Sequence, residues 1–184
     1  MGLDRSILNA VTPPLHLLFF SCLLGASIYQ SFVMTKISYR ALPKSAFRSL
    51  QKQVFPFYFR LQIALTIATA VTIPSHGLLD FTEDKLIWIP HVVALISAMS
   101  NIFMFEPFTR KAMIQVTHQE TRETLSHRTT DSDEDEEEKA FSTSNNMSRI
   151  KKNFSFHHAM CIHLNLLTMG AILAYGWTLA ARMK

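Results

Sequence analysis

Residues 49–71, SLQKQVFPFYFRLQIALTIATAV, are apolar over a membrane's width and yet contain Pro56 and Arg60. A helix rises 1.5 Å per residue, so ~20 apolar residues cross a hydrocarbon core ~30 Å thick. A cation at that depth costs about 2.5 kcal/mol or more unless it pairs inside the bundle or reaches the headgroups. The stretch reads as a membrane span whose polar end begins near Lys52, with Pro56 in the first part of the span and Arg60 just below the interface.

Three further blocks have the same character. Together the four lie at about 15–35, 55–73, 86–105 and 157–180, and they are apolar nearly all round, where a soluble helix would carry a stripe. The expected fold is all-α: a single integral-membrane domain over 1–184 forming a four-helix bundle. A short amphipathic basic segment is expected after the first span, and a disordered acidic loop, 126–150, before the fourth. The first block is longer than a signal-peptide core and no small-x-small cleavage pattern follows it, so it is expected to be retained.

The net charge of +4 conceals segregation, because DSDEDEEE, residues 131–138, holds seven of the fourteen acidic residues. Ser132 in that run is followed by acids and is a candidate for an acid-directed kinase. Lys36, Arg40, Lys44, Arg48 and Lys52 follow one another at steps of four, which on a helix makes a stripe drifting about 40° per step. Pro43 should divide it into two short pieces at the headgroups. The stripe either fixes topology as a solvated cationic loop or binds anionic lipid, at about 1 kcal/mol per basic residue near the surface. Positive-inside counting puts loops 36–54 and 106–156 in the cytosol. The organelle is not legible beyond endomembrane, such as the endoplasmic reticulum, or mitochondrial. The N-x-S sequons at Asn146 and Asn153 are then not glycosylated.

With those ends together, Gln30, Arg60, Asn101, Glu106, His158 and Asn165 are expected at similar depth as a polar intramembrane cluster. Arg60 either pairs with Glu106 or snorkels alone to the headgroups. His158, Cys161, Asn165 and Thr168 share one helical face, which suits either interhelical hydrogen bonding or a polar path. Small residues Ser21, Gly25, Ala94, Ser97, Ala98, Gly170 and Ala174 are expected to bring helices close. His157 and Cys161, at i and i+4, form too small a set to imply a metal. No catalytic triad, Walker loop or HExxH motif is present, and the sequence implies no enzyme activity, no cofactor and no nucleic-acid partner. The expected partners are the lipid bilayer, anionic lipids, and either further copies of the chain or other membrane proteins. The function expected is membrane organisation or a lipid- or partner-binding subunit, with a small transporter or efflux component as the alternative.

Gly25, Tyr29 and Phe32, then Arg40, Leu42, Pro43, Phe47, Gln51 and the run Phe55, Pro56, Phe57, Tyr58, Phe59 resemble the transmembrane protein 205-like family. Glu106, Pro107, Thr109, Met113, Asn153, Phe154, His158 and Asn165 look like its second half. The resemblance spans the chain apart from about 117–148, and Arg60 departs from it at a position where a relative carries histidine. It implies a four-span protein of intracellular membranes or the cell surface, without an established enzymatic activity or substrate.

Overall fold

A computed structural model describes residues 2–73, 85–129 and 136–182, and within these every regular element is helical. Helix α1 runs Gly2–Ile28, passes through a π-helical turn at Tyr29–Met34 and continues as α2, Thr35–Ala41. Helix α3 is Lys44–Val71. Helix α4, Lys85–Ser100, passes through a second π-helical turn at Asn101–Phe105 into α5, Glu106–Thr129. Helix α6 is Glu136–Arg182. Four stretches, Ala10–Ala41, Lys44–Val71, Lys85–Gln119 and Met147–Arg182, are long and apolar enough to span a membrane. The chain is a multi-pass membrane protein, and its spans are longer than the sequence blocks.

The break at Leu42 and Pro43 has a local cause. Proline disfavours the helical conformation in the residue before it, and Leu42 is extended at φ −110°, ψ 146°. Pro43 then caps the next helix, its carbonyl accepting from Phe47 N–H at 2.9 Å. Past that corner, the expected second short basic piece is instead the first turns of α3. Pro56 is correspondingly well inside α3 rather than near its start. Its missing N–H leaves the Lys52 carbonyl without the usual helical donor.

Of residues 126–150, expected to be disordered, 126–129 end α5 and 136–150 form the beginning of α6. A span that is already helical removes the nucleation cost for residues extending from it. Glu136 to Ala140, EEEKA, are strong helix formers whose acids favour a helix N-terminus. Ser132 and the acids from Asp131 to Asp135 lie outside the described residues, as does the acidic connection 74–84.

Burial is inverted relative to a soluble protein. The largest fully buried side chains are His16, Gln51, Gln62, Asn101, Thr69, Thr168 and Ser27, whereas Trp177, Phe103, Phe57 and Leu86 face outward. Lipid is as apolar as leucine, so packing and interhelical hydrogen bonds hold such a bundle together. Small residues act where expected on α4: Ala94, Ser97 and Ala98 are buried on a helix packed along α6. Leu23, Ala94 and Ile172 form an apolar cluster, and Ile73, Ile87 and Tyr175 a second, with Phe20 packed against both.

Gly25 and Gly170, expected at close contacts, face open space, and Ser21 and Ala174 are exposed. The close approach is at Gly176, where a Cβ would lie 2.6 Å from Phe20 Cζ. Gly176→Val should therefore lower the thermal stability of the detergent-solubilised protein by about 1–3 kcal/mol through overpacking. Shortening the facing ring with Phe20→Leu should recover part of that loss. Equal melting temperatures for wild type and Gly176→Val would remove this contact from the packing account.

Candidate functional site

The inward face of α3 carries Gln51, Tyr58, Phe59, Gln62, Thr66 and Thr69. Most of these are polar, and in hydrocarbon each polar group must find its partner within the protein. Thr66 and Thr69 donate back to their own helix, to Gln62 O and Leu65 O, both at 2.7 Å. Tyr58 and Gln62 reach across the bundle.

Asn165 of α6 is the centre of that crossing. Its Oδ1 accepts from Tyr58 Oη at 2.7 Å and lies 3.3 Å from Gln62 Nε2. Its Nδ2 donates to Ser31 Oγ at 2.7 Å. Gln62 Nε2 also donates to Tyr58 Oη at 3.0 Å and reaches Ser27 Oγ at 3.4 Å. Three membrane-crossing segments are thereby tied through one amide.

Directly beside this knot is a cavity of about 260 Å³. Gln30, Gln51, Tyr58, Glu106, His158 and Asn165 are among its walls, together with Phe32, Phe55, Phe59, Ile162 and Leu166. Helix irregularity shapes it. The first π-helical turn contributes Gln30, Ser31 and Phe32, and the Gln30 carbonyl accepts both Thr35 N–H and, at 2.8 Å, Thr35 Oγ1. Lys52, whose carbonyl Pro56 deprives of a helical donor, also lines it. π-Helical turns inside α-helices often mark functional sites.

Four of the six residues expected to form a polar cluster, Gln30, Glu106, His158 and Asn165, thus share one cavity. The other two do not line it. Asn101 in the second π-helical turn is fully buried, with neither amide atom hydrogen-bonded. Arg60 is exposed on the outer surface, although it and Arg110 both act electrostatically on Glu106. Of the basic stripe, Lys36, Arg40 and Lys44 are exposed, Arg48 is half-buried and Lys52 turns toward the cavity. On the α6 face, Cys161 Sγ is 3.6 Å from Thr109 Oγ1, and Thr168 donates to Leu164 O. His158 stacks on Phe154 and His157 on Phe108. Among the described residues no three His, Cys, Asp or Glu side chains gather as an ion's ligands would.

Of the two glutamines on the inner face, Gln51 enters the sequence reading only through the family resemblance and Gln62 not at all. Gln51 is 1% exposed, lines the cavity, and has neither Nε2 nor Oε1 hydrogen-bonded. The sequence reading also passed over a second polar centre, toward the opposite end of the bundle. His16 Nδ1 donates to Thr69 O at 3.0 Å, and its Nε2 accepts from Tyr175 Oη at 2.6 Å. Tyr175 packs edge-on against His91, whose Nδ1 donates to Ile87 O at 2.8 Å.

Tyr58→Phe removes the hydroxyl that Gln62 and Asn165 share. It should destabilise the protein by about 1–3 kcal/mol, because buried amide groups lose their partner. Asn165→Leu should lose a similar amount, and the double variant clearly less than the sum, since the two residues belong to one network. Additive melting shifts would show the crossing to be two separate contacts.

Comparison with known proteins identifies relatives but assigns no chemistry. Xanthocillin biosynthesis cluster protein D of Aspergillus fumigatus is 34% identical to this chain over 184 residues, covering 97% of each protein. No solved structure matches. Residues 18–118, more than half of the chain and most of the cavity wall, match the family model described as a domain of unknown function, DUF4149. The chain belongs to that family.

Proposed function

We propose that this chain is a non-enzymatic membrane protein that holds a small lipophilic molecule in the cavity beside Asn165 and presents it to partner proteins in the same membrane. The observation that carries this reading is the cavity's construction, with aromatic and aliphatic walls and a few convergent polar groups, the usual make-up of a small-molecule site. Phe32, Ile162 and Leu166 are both cavity walls and exposed on the outer surface, which gives a route in from the bilayer. A relative named for a biosynthesis cluster supports a role alongside proteins that make or move a small molecule. The transmembrane protein 205-like resemblance supports the same non-catalytic reading. The basic corner at α2 and α3 faces the cytosol in this proposal, in an endomembrane or mitochondrial membrane, with its lysines and arginines against anionic headgroups.

Binding of 2-methylnaphthalene to the full-length protein in lipid nanodiscs, measured against empty nanodiscs, tests the proposal. Saturable binding is expected in the wild type. Cys161→Trp, which fills the cavity, should weaken it at least tenfold while the protein remains folded, about 1.4 kcal/mol or more. Uptake no greater than lipid partitioning, for this probe and for polar naphthalene derivatives alike, would overturn the reading. The lipid contact is tested separately by neutralising Lys36, Arg40, Lys44, Arg48 and Lys52 and weighing the anionic lipid that co-purifies. About 1 kcal/mol per basic residue predicts a marked fall, and an unchanged amount would exclude the stripe as a lipid site.

Transport is a second reading, favoured by the buried polar column on α3 that leads from the cavity toward His16 and Tyr175. Reconstituted liposomes should then show saturable flux of the same probe that His158→Ala slows. Flux equal to that of empty liposomes would leave holding, rather than translocation, as the activity.

A further inference from the structure

The ligand's polar group can be read from the cavity wall, an inference that rests on the cavity being a ligand site. Gln51 is almost wholly buried and has an unpaired donor and an unpaired acceptor on the same planar amide. Gln30, 8% exposed and also lining the cavity, adds an unpaired donor at Nε2. Nearby polar groups are already committed: Asn165 to Tyr58 and Ser31, and Thr35 to the Gln30 carbonyl. An apolar side chain at position 51 would leave no such need, whereas an unpaired buried amide is costly until something pairs with it.

We infer that the cavity selects a neutral, planar donor–acceptor head of the carboxamide type, carried on an aromatic or compact apolar body. The amide atoms of Gln51 and Gln30 are covered in this structure, so the two side chains turn to meet the ligand: its carbonyl then accepts from Gln51 Nε2 and Gln30 Nε2, while its N–H donates to Gln51 Oε1. A carboxylate is attracted by Lys52 and Arg110 in the same wall, but it has no donor for Gln51 Oε1 and also meets Glu106. An ammonium is attracted by Glu106, but it has no acceptor for the two glutamine N–H groups and also meets Lys52 and Arg110. Hydrocarbon leaves all three amide groups unpaired. The apolar body rests on Phe32, Tyr58 and the stacked pair Phe55 and Phe59, whose rings are 6.0 Å apart and 14° from parallel. A volume of about 260 Å³ suits a molecule of roughly two fused rings.

Four probes of one shape test this on the full-length protein in nanodiscs: 2-naphthamide, N,N-dimethyl-2-naphthamide, 2-naphthoate and 2-methylnaphthalene. Each is measured against empty nanodiscs to subtract partitioning. The one hydrogen bond from the ligand N–H to buried Gln51 Oε1 predicts that 2-naphthamide binds about tenfold more tightly than the dimethyl amide, which lacks the donor. It should also exceed 2-naphthoate. In Gln51→Leu and Gln51→Met the advantage should vanish while 2-methylnaphthalene binds as before. Both variants should melt no lower than wild type, because each removes a buried unpaired amide, so a loss of discrimination is not a loss of fold. Equal affinities for the two amides, tighter binding of 2-naphthoate, or discrimination that survives in both variants overturns the carboxamide assignment and leaves the cavity as a ligand site. Absence of saturable binding by every probe overturns both.

Discussion

In hydrocarbon a polar group has no solvent to turn to, and that constraint explains why this bundle is polar inside. A serine hydroxyl, a tyrosine hydroxyl and a glutamine amide from two other segments all converge on Asn165 of α6. Once outward-facing Leu, Ile and Phe can rest in lipid at no cost, the interior is where hydroxyls and amides must go. Each such hydrogen bond contributes only about 0.6–2 kcal/mol. Their geometry, unlike apolar contact, admits few alternatives, so the knot fixes how α1, α3 and α6 register against one another. The His16 and Tyr175 pair does the same toward the other end, joining α1 to α3 and α6.

The cavity follows from irregular backbone near that knot. A regular helix in place of the π-helical turn at Tyr29–Met34 would rotate every later residue by most of a helical step. Pro56 likewise interrupts the hydrogen-bond ladder of α3 along the cavity wall. The second π-helical turn precedes Glu106, which brings this carboxylate to the same wall from α5. One departure from the α-helix thus lines the space, and two others, Pro56 and the second π-helical turn, immediately adjoin lining residues in the chain.

Much of this was legible in the sequence because the membrane imposes strong periodicities. Four apolar runs gave the four spans, and steps of three and four from His158 to Thr168 gave the inner face of α6. The same arithmetic applied to α3 would have found Gln51, Tyr58, Gln62, Thr66 and Thr69, steps of seven, four, four and three. Arg60, expected either to pair with Glu106 or to reach the headgroups, lies on the outer surface, where a long side chain can do the latter. The extent of α6 was not legible, because acidic low-complexity sequence reads alike whether it is solvated coil or the helical continuation of a span. The π-helical turns were not legible either: they add a residue to a turn without any distinctive residue type, and that addition changes which side chains face inward.

Asn101 and Gln51 make an instructive pair. Both are buried amides with unpaired atoms in a protein whose other buried polar groups are mostly hydrogen-bonded. Asn101 lies in a π-helical turn away from the cavity, and its cost falls on the fold alone. Gln51 lies in a cavity wall among Phe55, Tyr58 and Phe59, where an apolar residue of the same volume would give a drier and more stable pocket. A binding protein is expected to forgo stability at the surface that must recognise something, because groups left unpaired in the empty protein are the ones that distinguish a correct ligand from hydrocarbon. In a membrane that distinction is especially demanding, since any apolar body can enter from the lipid and only a polar mark separates one molecule from the bulk. A single planar amide in an aromatic wall is the smallest device that could make it.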